Sequence, residues 1–270
     1  MTRSWSLGSL QWRGCAVMGI VNVTPDSFSD GGRFEHADAA YTHARRLVAE
    51  GADLVDIGGE STRPGAAPVT EDEEWRRIAP VLERLAADGD VIISVDTRRA
   101  LVAERALAVG AHLVNDVSGL RDPAMVEVCA EAGAPVVIMH MQGEPATMQA
   151  NPRYDDVVAE VSQWLHRQAA LAIEAGVPSV MVDPGIGFGK RLEHNLALLN
   201  AIDVLGDHGR WPVLVGVSRK RLLRDLFGID RPEDRDAASV ELHVQAAATG
   251  AAMVRVHDVA GHVAALHHPG

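Results

Sequence analysis

The sequence predicts an α/β chain, a (β/α)8 TIM barrel with its active site at the C-terminal ends of the strands. Three observations predict it. Short apolar runs rich in β-branched residues alternate with segments of helical spacing. Those runs are continuously apolar, as parallel strands covered on both faces must be. Eight such strand–helix units fit into 270 residues, the arithmetic of this barrel. The whole chain, 1–270, reads as a single domain, because no linker or low-complexity stretch divides it. A doubly wound open sheet is the competing arrangement. It would carry a nucleotide fingerprint after its first strand, whereas here that strand runs into Asn22-Val23-Thr24-Pro25-Asp26.

The units follow in order. Ala16–Val21 is the first strand, and Asp38–Ala49 follows with Ala40, Ala44, Leu47 and Val48 on one helical face. Leu54–Ile57 leads to Glu71–Ala86, where Trp75, Ile78, Val81, Leu82 and Leu85 keep the helical period. Val91–Val95 and His112–Val114 precede helices over Arg98–Val109 and Pro123–Ala132. The proline opens its helix because its fixed φ suits the first helical position. Val136–Met139 precedes Val157–Ala175, and Val180–Val182 precedes His194–Leu205. Val213–Val217 precedes two helical stretches, Lys220–Phe227 and Asp236–Thr249, and Met253–Val256 precedes Val259–Leu266. Gly51, Gly110, Gly133, Gly176 and Gly250 stand just past helices, where a left-handed residue ends them. Thr24–Glu35 and Glu60–Val69 are rich in Gly, Pro and Ser and read as mobile active-site loops.

Composition narrows the functions. Cys15 and Cys129 are too few for a disulfide framework, which suits a reducing, cytoplasmic setting. No apolar run reaches the ~18 residues of a membrane span. The first fourteen residues hold Trp5 and Trp12 but no long apolar stretch, so no secretory signal is expected. A net charge of −12 disfavours nucleic acid and anionic membrane as partners. The twelve histidines show no metal-ligand spacing. Gly185-Ile186-Gly187-Phe188-Gly189-Lys190 lacks the Walker spacing and the following Ser or Thr of a nucleotide loop.

In such a barrel the strand C-termini converge on one mouth. Here they end in Asn22, Glu60 to Arg63, Asp96, Asn115-Asp116, Met139-His140, Asp183, Ser218-Arg219-Lys220, and Arg255 with His257. A single Asp at a strand end reads most simply as a helix cap. Polar groups at all eight ends do not. Two carboxylates and an amide, Asp96, Asp183 and Asn115, suit the N–H and NH₂ edge of a flat heterocycle such as a pterin or guanine. A general acid/base pair or a hard-metal site is the alternative for the carboxylates. Arg63, Arg219, Lys220, Arg255 and His257, from strands two, seven and eight, form a cationic half, and strands seven and eight are where this fold often binds phosphate.

The motifs carrying these residues resemble those of the bacterial dihydropteroate synthases, from about Val17 to Val259. They are Asn22-Val23-Thr24-Pro25-Asp26-Ser27-Phe28-Ser29-Asp30-Gly31-Gly32, Asp56-Ile57-Gly58-Gly59-Glu60-Ser61-Thr62-Arg63-Pro64-Gly65, Ser94-Val95-Asp96-Thr97 and Asn115-Asp116-Val117-Ser118-Gly119. Met139-His140-Met141, Asp183-Pro184-Gly185-Ile186-Gly187-Phe188, Ser218-Arg219-Lys220 and Arg255-Val256-His257-Asp258 complete the set. The resemblance implies a homodimeric TIM barrel, the target of sulfonamides. Its reaction joins 6-hydroxymethyl-7,8-dihydropterin diphosphate to 4-aminobenzoate, giving 7,8-dihydropteroate and diphosphate for folate. By the matching positions Asp96, Asn115, Asp183 and Lys220 hold the pterin, and Met139 lines its pocket. Asn22, Arg255, Val256 and His257 lie at the diphosphate, with Mg²⁺ bridging it to Asn22. Thr62, Arg63, Pro64, Phe188, Ser218 and Lys220 surround the aminobenzoate. Arg63, Lys220, Arg255 and His257 are the groups the resemblance makes catalytic. Two rivals share the barrel: a methyltetrahydrofolate methyltransferase and a non-catalytic pterin-binding paralogue. The first holds no diphosphate, so Ser218-Arg219-Lys220 and Arg255-Val256-His257 speak against it.

Overall fold

A computed structural model describes residues 3–24, 33–61, 68–145 and 147–267. Eight parallel strands form the sheet: β3 (Ala16–Asn22), β4 (Leu54–Gly58), β5 (Ile93–Asp96), β6 (Leu113–Asp116), β7 (Val136–Met139), β8 (Val180–Asp183), β9 (Leu214–Val215) and β10 (Met253–Val256). Their spatial order is β8-β7-β6-β5-β4-β3-β10-β9. A parallel bridge between Val182 and Val213 closes β8 onto β9, and the Val182 N–H donates to the Pro212 carbonyl at 3.0 Å. The barrel read from the sequence is the one observed.

Helices cover it: α1 (Arg33–Ala49), α2 (Glu71–Asp88), α3 (Ala100–Ala108), α4 (Pro123–Glu131) and α5 (Val157–Glu174). After β8 come α6 (Leu192–Leu199) and α7 (Ile202–Leu205), and after β9 come α8 (Arg221–Phe227) and α9 (Asp236–Ala248). The last is α10 (Val259–His267). Local chemistry sets their ends. Thr70 caps α2 by accepting from the Glu73 N–H, and Gly89 closes it at φ 70°. Asp122 caps α4, which opens on Pro123, and Asp156 caps α5 through two backbone N–H groups. Helix α1 begins five residues before the start read from the apolar pattern at Asp38.

Alternation along the strands separates two cores. Outward residues such as Val17, Val55, Val95, Val114, Ile138, Val182 and Val254 pack against the helices. Inward residues of the lower barrel, Met18, Leu54, Leu113, Val137, Met181, Leu214 and Met253, pack together with Trp5 and Leu7. Those two belong to a hairpin that the strand–helix rhythm does not contain. Strand β1 (Ser4–Leu7) pairs antiparallel with β2 (Leu10–Arg13), Trp5 lying opposite Trp12. The Trp12 indole donates to the Ala252 carbonyl at 2.8 Å. The hairpin therefore seals the N-terminal end of the barrel, where inward apolar side chains would otherwise meet water.

Leu7 is fully buried in that seal. Leu7→Ala should lower stability by about 2–5 kcal/mol, the range for such truncations in a core. Urea unfolding measures it, and ligand affinity at the opposite mouth should be unchanged.

Candidate active site

The upper inward positions are polar. Strand register sets Gly58 beside Asp96 and Asp96 beside Asn115, and sets Met139 beside Asp183. A cavity of about 1230 Å³ opens above them. Asn22, Asp96, Asn115, Met139, Asp183, Phe188, Ser218, Lys220, Arg255 and His257 all line it. Ten of the positions singled out in the sequence thus meet at one mouth.

At its floor lies a buried ion network. Arg255 donates from Nε to Asp56 Oδ2 at 2.6 Å and from Nη2 to Asp96 Oδ2 at 2.7 Å. Asn115 Nδ2 donates to the same Asp56 oxygen at 2.9 Å. Asp56 is wholly buried, and its Oδ1 has no partner among the described residues. Burial pushes the Asp96 carboxyl up, against the pull of Arg255. Burial alone would lower the Arg255 guanidinium, but Asp56 and Asp96 outweigh it and hold it above its ordinary value. Arg255 is thereby fixed across the barrel, and Asn115, held by the same Asp56, lines the cavity.

The second half of the site sits on the loops after β8 and β9. Asp183 accepts from the Gly185 N–H at 2.7 Å, and burial pushes its carboxyl up. Gly185 adopts φ +65°, and a Cβ there would overlap the His140 carbonyl, so only glycine lets this loop lie against the strand end. Lys220 donates to the Ile186 carbonyl at 2.6 Å and lies 4.7 Å from the centre of the Phe188 ring. Burial lowers its amine to about 8, opposed by Asp183. The Ser218 hydroxyl accepts from the His257 N–H at 3.1 Å and meets His257 Nδ1 at 2.9 Å.

Several expectations change. Val256 points outward, fully buried in the layer between sheet and helices, and does not line the cavity. Strand alternation is the reason: Arg255 faces in, so its neighbour faces out. Arg219, read as part of the cationic half, makes two 2.7 Å bonds to Asp236. It still lines the cavity, paired with one carboxylate where Arg255 is paired with two. Thr62, Arg63 and Pro64 lie outside the described residues, as does most of the two loops around them and after Thr24.

Sequence reading does not assign Asp56, although the signal is present: it stands two positions before Gly58 on the same inward face. Lys190 reads in the sequence only as part of the glycine loop, yet it lines the cavity. Its ammonium bonds the Phe188 carbonyl at 2.9 Å, the His140 carbonyl at 3.2 Å and His140 Nδ1 at 3.1 Å. Burial and then Lys190 keep His140 near 3, so its ring is neutral and can accept.

Among the described residues no three His, Cys, Asp or Glu side chains group as a metal site. Asn22 lines the mouth, and its side-chain amide has one oxygen to offer. That donor set suits a magnesium ion carried in by an anionic substrate, since Mg²⁺ takes one or two protein ligands beside phosphates and water.

Comparisons with known proteins agree with this geometry. The family described as pterin binding enzyme matches residues 18–257. Dihydropteroate synthase of Escherichia coli K12 is 46% identical over 252 residues, 93% of this chain and 89% of that protein. The Xanthomonas albilineans dihydropteroate synthase structure with 4-aminobenzoic acid superposes at TM-score 0.90, with 46% identity, covering 99% of this chain and 97% of that one. The Thermus thermophilus dihydropteroate synthase in complex with 6HMPPP superposes at TM-score 0.85, with 46% identity and 98% of each chain covered.

Asp56→Ala removes one partner from a buried ion pair, so it should cost about 3–5 kcal/mol of stability. Denaturant unfolding reads that loss.

Proposed function

The chain belongs to the pterin-binding enzyme family and its activity is that of a dihydropteroate synthase; from that premise we propose how its residues divide the reaction. One observation carries the assignment: carboxylates and an amide face a cationic rim across one cavity. Asp96, Asn115 and Asp183 take the donor edge of the pterin, and Met139 packs on it. Lys220, over Phe188, reaches between pterin and aminobenzoate. Arg255 and His257 receive the diphosphate and hold its developing charge; Ser218, read beside the aminobenzoate, touches His257 and so stands between the two substrates. Thr62, Arg63 and Pro64 belong, on this reading, to the aminobenzoate side.

The chemistry needs no protein nucleophile. The bond between the pterin methylene carbon and its ester oxygen breaks, and the electron pair leaves with diphosphate. The electron-rich pterin ring stabilises the cationic carbon. The neutral arylamine then supplies its lone pair to form the C–N bond and loses a proton to diphosphate or solvent. An aniline nitrogen is unprotonated near neutral pH, so no strong base is required. What the chain supplies is orientation and preset charge. Magnesium, when bound at Asn22, neutralises the diphosphate and makes it a better leaving group.

A homodimer and a cytoplasmic location belong to the same proposal. Exposed Phe227 and Val244, on the neighbouring helices α8 and α9, offer apolar surface to a second copy. No helix among the described residues is long and apolar enough to cross a membrane. Sulfonamides carry the aniline of the second substrate and would compete for its place.

The deciding assay is diphosphate release that requires both pterin diphosphate and 4-aminobenzoate. Its absence with pterin binding intact would favour the non-catalytic paralogue. Asp183→Ala should leave a pterin donor unpaired in a buried site, at a cost of about 1–3 kcal/mol. Calorimetric affinity for the pterin substrate should fall about tenfold, the equivalent of ~1.4 kcal/mol.

A further inference from the structure

Helix α9 carries a set of side chains that bind the backbone of the anion loop rather than any ligand. The Ser239 hydroxyl accepts from the Arg219 N–H at 3.2 Å. Arg235, just before the helix, donates to the Arg219 carbonyl at 2.9 Å. Arg219 itself stands at φ 58°, a left-handed conformation that costs a non-glycine residue free energy unless its surroundings hold it. Deeper in the same face His243 Nε2 meets the Val217 N–H at 3.0 Å. His243 Nδ1 meets His262 Nε2, on α10, at 2.8 Å, and His262 Nδ1 meets the Asp258 carbonyl at 2.5 Å. Both rings are wholly buried.

The contacts named above fit one direction of this chain, with the Val215 and Ser239 carbonyls as rival acceptors near the two rings. A backbone N–H can only donate, so His243 Nε2 accepts and its proton is on Nδ1. A carbonyl can only accept, so His262 Nδ1 carries its proton and Nε2 accepts from His243. Three bonds then run one way, from Val217 through two neutral imidazoles to Asp258. Burial lowers both rings below their ordinary value, which favours this neutral pair. Val217 precedes Ser218 and Asp258 follows His257, so the relay lies directly beneath the Ser218–His257 contact.

We propose that His243 and His262 are positioning residues for the diphosphate half of the site, joining the exit of β9 to the exit of β10 through a one-way imidazole relay. The proposal rests on the functional reading above only for the identity of the anion. Without the relay Ser218 and His257 would still be present, but the spacing between the two loops that carry them would no longer be set from below.

The wild-type protein labelled with [¹⁵N]histidine tests the relay without any substitution. Long-range ¹H–¹⁵N correlation at pH 7 should show both rings neutral with the proton on Nδ1, assigned by the resonances lost in His243→Gln and His262→Gln. An Nε2–H tautomer or a charged ring at either position overturns the proposal. His243→Leu fills the space but leaves the Val217 N–H unanswered. It should raise KM for pterin diphosphate about tenfold and change KM for 4-aminobenzoate less than threefold. His243→Gln, whose amide oxygen can still accept from Val217, should recover most of that loss. A folded His243→Leu that is thermally weaker but has both KM values unchanged makes the pair merely structural and overturns the positioning role. Calorimetry with inorganic diphosphate and Mg²⁺ separates this from the function itself. If turnover is absent in the wild type but His243→Leu still weakens diphosphate binding about tenfold, the functional reading fails and the relay stands.

Discussion

Arg255 crossing the barrel to Asp56 and Asp96 is the interaction on which the site depends. It brings a guanidinium, two carboxylates and, through Asp56, the Asn115 amide into one rigid cluster at the top of an otherwise apolar interior. Burying such charges is costly, and only their mutual pairing offsets it. The cluster accordingly fixes the rotamers of groups that must meet a ligand. Asp96 gives one oxygen to Arg255 and lines the cavity. Arg255, held at Nε and Nη2, lines the mouth.

The barrel supports this cluster from below and from the side. The β1–β2 hairpin closes the lower end, so the apolar layers beneath the ion network stay dry, and dryness strengthens each charge above. On the side, α9 and Arg235 just before it hold the loop after β9 at four backbone groups, the Val217 and Arg219 N–H and the Arg219 and Lys220 carbonyls. That accounts for the short β9. Beyond Val215 the backbone takes its partners from Ser239, Arg235 and His243 rather than from a neighbouring strand, so the run read as Val213–Val217 is ladder only at its start. The exchange turns Ser218 and Lys220 into the cavity.

A second charged cluster ties the start of α3 to the β4 exit. Arg99 bonds Glu60 with 2.9 Å contacts, and also bonds Glu74 and the Val69 carbonyl. Burial would raise the Glu60 carboxyl, but Arg99 and Arg98 hold it near 2. Glu60 and Val69 flank the stretch with Thr62, Arg63 and Pro64, so both stems of that stretch are anchored to the same guanidinium.

Much of this molecule was legible in one dimension. Apolar runs of three to six residues, glycine after helices and a proline opening α4 are local signals, and the barrel follows from their count. The polar strand ends named Asp96, Asn115, Asp183, Lys220 and Arg255 because period-two alternation brings one end of every strand to one mouth. What tertiary structure alone decided is which charges are already paired. Arg219 and Arg255 look alike in sequence, yet one is matched by Asp236 beside the site and the other reaches Asp56 and Asp96 across 199 and 159 residues of chain. The hairpin seal and the two-imidazole relay belong to the same class. Local sequence determines which groups reach the mouth through short-range periodicity, whereas partner choice among buried polar groups is settled only when distant segments are desolvated together and each donor must find an acceptor.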